Sequence, residues 1–120
     1  MLSKQLAALI VLAAGIAINS PSYSNTYLDY SEWQNRTEEA RVNYIMGMYD
    51  LLVTLADSDA GVRRGRHYGA CVSKAKMSNR DLAENVRLFG ASRPELHSQP
   101  VTAVLIQYLI GLCGKPPSAN

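Results

Sequence analysis

Cys71 and Cys113 are the only cysteines in a chain of 120 residues, and they stand behind an N-terminus that reads as an export signal. Met1 to Lys4 gives a short basic start and Leu6 to Ile18 is apolar and uncharged. Asn19, Ser20 and Pro21 then break the helix before the small residues Ser22 and Ser24. That is the order of a signal peptide, with cleavage expected near Ser24; an uncleaved anchor is the alternative. Exported thiols enter a compartment that oxidises them, so the two cysteines are expected to pair. Fold and location are thereby constrained together. Closing the loop between them removes about 4 kcal/mol of unfolded-chain freedom in the entropic model, a large share of the roughly 5 to 15 kcal/mol that holds a typical domain folded.

The mature chain, residues 25–120, has the length of one domain and a core that is adequate rather than generous. Its most apolar later stretch, Val101 to Leu112, is interrupted by Gln107 and too short to span a bilayer, so no membrane association is expected once the signal is cleaved. The formal net charge of +2 argues against nucleic acid as a partner. The charge is unevenly spread. Acids dominate from Asn25 to Asp59, and bases dominate from Ala60 onward. Two oppositely charged halves could pack on each other, or the pattern could match that of a protein partner.

Apolar spacing points to helices throughout. Ser31 and Gln34 stand at the spacing of a capping box, and Trp33, Thr37, Ala40, Tyr44, Met48, Leu51 and Leu55 then recur at steps of three and four. A long first helix is expected there, apolar on more than one side in its second half, with Gly47 marking a close approach of another backbone. Asp57 to Ala70, rich in glycine and arginine, reads as a loop. Ser78 and Asp81 open a second helix that ends near Gly90. Pro94 marks the start of the last, which runs to about Leu112 with Pro100 in its first turn or at a kink. No segment alternates as a strand should, and no Asn-Gly or Asp-Gly turn is present. The expected architecture is all-α: a small bundle of three to five helices with one disulfide, tying the loop after the basic run to the end of the last helix.

Chemistry is sparse. The two histidines, His67 and His97, and the two cysteines show no metal-ligand spacing, and the cysteines are too far apart for a Cys-x-x-Cys redox motif. No nucleophile turn or phosphate loop appears, so neither catalytic, cofactor nor metal residues are assigned and no enzyme is expected. The sharpest candidate for contact with a partner is the run Arg63, Arg64, Arg66, His67 and Tyr68, whose planar guanidinium forks suit carboxylates or phosphates; a solvated loop balancing the acidic first helix is the alternative. His97 reads as a helix-start residue bonded to backbone. Tyr44, Tyr49 and Tyr108 read as core, whereas Tyr23, Tyr27 and Tyr30 flank the mature start.

The run Arg41-Val42-Asn43-Tyr44-Ile45-Met46-Gly47-Met48-Tyr49-Asp50 resembles the aromatic-x-x-Gly-x-x-Asp signature of the Rap/Tai immunity proteins. Gly69-Ala70-Cys71-Val72, Leu82 with Val86, Pro94-Glu95-Leu96-His97 and the long apolar helix closing on Cys113 follow in that family's order. The likeness covers about Trp33 to Cys113. It implies a small exported all-helical protein of the periplasm that neutralises a type VI secretion effector, often a peptidoglycan amidase, by occlusion. The partners it implies are a cognate secreted effector protein and, since many members act as dimers, a second copy of the chain. The runner-up is a periplasmic acid-stress chaperone of the HdeA type, also small, exported, helical and singly bridged. The C-terminus, with one lysine and no charged cluster, lacks the tails such a chaperone needs.

Overall fold

The computed structural model describes residues 27–119; the signal peptide expected over residues 1–24 lies outside them. Among the described residues the chain forms α1 (Tyr30–Gln34), α2 (Glu38–Thr54), α3 (Asp59–Lys74), α4 (Asn79–Ala91) and α5 (Val101–Cys113), with a 3-10 turn over Pro94–Leu96 between the last two. No strand forms among them beyond one isolated antiparallel bridge between Asp29 and Pro100. The fold is an all-α bundle with one disulfide.

Helix starts follow local hydrogen-bond chemistry, and two differ from expectation. The first capping box is built by Asp29 and Glu32, not by Ser31 and Gln34: Glu32 N–H donates to Asp29 Oδ1 at 2.8 Å and Asp29 N–H to Glu32 Oε2 at 3.2 Å. Asp29 already has the extended backbone a cap requires, because Leu28 and Gln99 flank it with backbone bonds to Val101 N–H and Tyr30 N–H. The chain then breaks at Asn35 and Arg36, and Thr37 caps α2 through Ala40 N–H at 3.2 Å. One expected helix is therefore two. At the other end Pro100 stands just outside α5, where a missing N–H costs nothing, and the segment from Pro94 forms its own short turn. The box of Ser78 and Asp81 opens α4 as expected.

The largest correction is the segment 57–70, which is not a loop. Ser58 caps it by accepting Gly61 N–H at 3.0 Å, and α3 runs sixteen residues from there. Gly61 and Gly65 lie on one side with Tyr68 and Val72, at steps of four, three and four. They let α3 lie directly on the last turn of α2: a Cβ on Gly65 would overlap the Val53 carbonyl, and one on Gly61 would sit 2.9 Å from Leu55 O. The close approach expected at Gly47 is thus made at Gly61 and Gly65 instead, and among the described residues nothing lies within 4 Å of where a Gly47 Cβ would be.

A second correction concerns α2, which has more than one apolar side. Ile45 is its fully buried residue, and Val42, Tyr44, Met48, Tyr49, Leu52 and Val53 pack part-buried around the core. Leu51 and Leu55, on the stripe expected to be buried, remain 60 % and 39 % exposed. Helical period finds both stripes, but only the docking of α3 and α4 selects between them. The core is completed by Tyr30, Trp33, Tyr68, Leu82, Val86, Val101, Val104, Leu105 and Leu109, and among the described residues no carboxylate, lysine, arginine or histidine is buried within it. Tyr30 and Tyr68 are the central tyrosines; Tyr44, Tyr49 and Tyr108 are only half-buried.

Candidate functional site

The two cysteines are joined, with Cα atoms 5.8 Å apart. Cys71 lies in the last turns of α3, not in a loop, so the bond links two helices, α3 and α5. His67, one turn before it, donates Nε2–H to the Gly114 carbonyl at 2.9 Å, just past the α5 terminus, where Gly114 has the positive φ of 75° that stops the helix. The residues around the bridge therefore hold the end of α5 against α3 by one covalent and one hydrogen bond.

The candidate run is laid out along α3 on several sides. Tyr68 is buried, and burial raises its hydroxyl pKa while the neighbouring Arg64 charge opposes that rise. It is a core residue, not a surface contact. His67 meets its ring edge-on at 5.3 Å. Arg66 is exposed, and Arg63 and Arg64 are half-buried with Nε atoms shielded from water and given no acceptor. Among the described residues none of these three arginines forms an ion pair. What α3 offers to solvent from this run is the Arg66 guanidinium, with Arg63 and Arg64 half-buried.

Two grooves flank α4. The larger, an open hollow of about 550 Å³, is lined by Gln34, Glu38, Arg41, Arg80, Asp81, Glu84 and Arg87. Its charges are mutually engaged. Arg80 pairs with Glu38, the ion pair that joins the acidic and basic halves of the sequence, and Arg87 grips Glu84 with Nε at 2.8 Å and a second nitrogen at 2.5 Å. That grip holds the Glu84 carboxyl below its ordinary pKa. Arg41 donates to the Gln34 and Arg36 carbonyls where α1 ends. The smaller groove, about 350 Å³ between α4 and α5, is lined by Phe89, Arg93, Tyr108, Gly111 and Leu112. There the Arg93 guanidinium sits 3.8 Å over the Phe89 ring and bonds the Phe89 carbonyl at 2.8 Å.

His97 donates Nε2–H to the Gly90 carbonyl at 3.0 Å and stacks on Tyr30, the structural use expected of it. Among the described residues no three His, Cys, Asp or Glu side chains gather as a metal site, and no helix is long and apolar enough to cross a membrane. No family model, curated protein or solved structure matches this chain. The exposed Leu51, Leu55 and Leu112 are surface features that sequence reasoning missed; spacing alone gave them the same apolar signal as core residues.

Proposed function

We propose that this chain is an exported binding protein of the Rap/Tai type, held in the periplasm, that neutralises a cognate type VI secretion effector, with a peptidoglycan amidase as the expected class. It acts by covering the effector rather than by chemistry. The observation that carries this reading is the bridge. Gly69–Val72 and the helix closing on Cys113, two segments of the family pattern, are covalently joined in one bundle. The bundle also places Leu82 and Val86 in the core and Pro94–Leu96 in the turn before α5. Both histidine rings are spent on backbone carbonyls, which suits recognition better than catalysis.

The test is co-expression, in the periplasm, of this protein with a secreted cell-wall hydrolase encoded beside its gene. Protection from lysis and co-purification of the pair are the expected results. Lysis undiminished by the protein, with no binding to any neighbouring toxin, overturns the reading. The acid-stress chaperone has less support, because its opening at low pH needs groups that acid can charge, and the buried core contains none among the described residues.

A further inference from the structure

An apolar patch is left uncovered at the C-terminal end of α2, with acidic residues beside it. Ala40, Leu51 and Leu55 are exposed, and Gly47 lies exposed between them with nothing among the described residues within 4 Å of where its Cβ would be, whereas Tyr44 and Met48 are half-buried against the core and Met48 Sδ accepts from Thr102 Oγ1 of α5 at 3.2 Å. Leu51 and Leu55 stand at i and i+4, with Gly47 one turn before, two neighbouring anchor positions of a helix laid into a groove. A glycine inside a helix costs about 1 kcal/mol relative to alanine. Gly61 and Gly65 use that cost for contact with α2, whereas Gly47 has no such use among the described residues.

The rim decides what fits. Asp50 is exposed on α2 beside Leu51, Asp57 and Asp59 follow the helix's C-terminal end, and among the described residues none of the three forms an ion pair. Arg41, the one base on α2, is engaged with the carbonyls of Gln34 and Arg36. Leu51 and Leu55 also lie in the last turns, where the helix dipole is negative. A second copy of the chain is a poor occupant. Pairing α2 with itself would bring two acidic rims together, and pairing it with the Arg93-bearing groove of another copy would be a head-to-tail contact that risks open chains.

We propose that the Leu51–Leu55 stripe of α2 is a docking ridge for a different protein, one that presents an apolar groove flanked by lysine or arginine. The proposal rests on the binding-protein reading above but not on the partner being an effector. Apolar burial at the ridge holds the complex, and the acidic rim steers the cationic partner and selects its orientation.

The experiment places a photo-crosslinking amino acid at Leu51, Leu55, Leu112 or Arg66 of the full chain in its own host and identifies the linked peptides by mass spectrometry. The ridge is supported when the Leu51 and Leu55 probes, and not the others, link to a different protein at a peptide with apolar residues beside Lys or Arg. Binding of that purified protein should then weaken about tenfold or more with Leu51→Lys and severalfold with Asp50→Lys, with the thermal midpoint unchanged. Adducts to another copy, to the chain's own residues, or to a peptide without Lys or Arg overturn the ridge, as do unchanged binding by Leu51→Lys or no adduct at any probe. Adducts from Leu112 or Arg66 alone overturn it while leaving the immunity reading intact. A cationic partner linked at Leu51 that is not a secreted toxin keeps the ridge and removes the immunity reading.

Discussion

The two ends of α5 are secured by different means. Its start is held by packing: Tyr30 and Trp33 are fully buried, the Tyr30 hydroxyl donates to the Arg87 carbonyl, and Trp33 Nε1–H donates to the Arg41 carbonyl at 3.3 Å. The Tyr30 ring occupies the space where a Gly90 Cβ would be and stacks on His97, with centroids 5.2 Å apart. Its end is more open, with the Phe89–Tyr108 pair only half-buried beside it. Gly111 and Leu112 are exposed, Cys113 is half-buried, and the disulfide with the His67 bond does the holding. Where a small domain buries its large side chains fully, burial supplies cohesion; where they stay partly on the surface, a cross-link adds to it.

That contrast gives a ranking that experiment can reverse. Tyr30→Ala should cost about 4 kcal/mol, the scale for deleting a fully buried aromatic side chain, measured by urea unfolding of the oxidised protein. Cys71→Ser should cost about 2 to 5 kcal/mol, centred lower because strain and residual unfolded structure trim the entropic value. In the reduced protein, amide exchange should quicken at the ends of α3 and α5 and stay slow around Tyr30 and Trp33. Should the serine variant prove the weaker of the two, or exchange quicken first at the aromatic end, the covalent end carries more of the fold than packing does. Gly90→Ala comes next, at about 1 to 3 kcal/mol for overpacking against a ring that cannot swing away without losing its hydroxyl bond. Adding Tyr30→Leu should make the Gly90→Ala change nearly neutral; no such relief would mean the space is limited by something other than that ring.

How far the sequence discloses these features depends on whether each is a local or a pairwise property. The helical class, the Ser78–Asp81 box and the pairing of Cys71 with Cys113 rest on spacing within a few residues or on there being no other partner, and they are legible. The α3 helix is illegible for a physical reason: glycine breaks a lone helix but permits close contact, and Gly61 and Gly65 make sense only against the Val53 and Leu55 carbonyls. The side of α2 that faces outward is hidden for the same reason, since both stripes are apolar and the choice is made by α3 and α4. Among the candidate contacts, Arg66 is on the surface as expected, while Tyr68 is drawn inward by the very packing that sequence spacing could not show.

The smallest effects belong to α4's start, which lies outside both closures of α5. Ser78→Ala removes the hydroxyl that caps Asp81 N–H and should cost about 1 kcal/mol. Acid tests the same region more finely. The Ser78 backbone N–H, and then its hydroxyl, hold the Asp81 carboxyl below its ordinary pKa, and the Arg87 side-chain bonds do the same for Glu84. A carboxyl depressed in the folded state binds protons more readily when unfolded. Its stabilising share is therefore whole above the unfolded carboxylate range, about pH 4, and is lost as pH falls through the still lower folded values. Stability should accordingly be insensitive to these two groups from about pH 5 to 7 and decline below about pH 4. The decline should be shallow, because both carboxylates are exposed. Neither the aromatic packing nor the disulfide depends on a carboxylate, so thermal midpoints recorded down to pH 3 should fall gradually, with no new dye-binding apolar surface. Cooperative opening above pH 4 would show that acid reaches one of the two closures after all, and it would move the chaperone reading ahead of the immunity one.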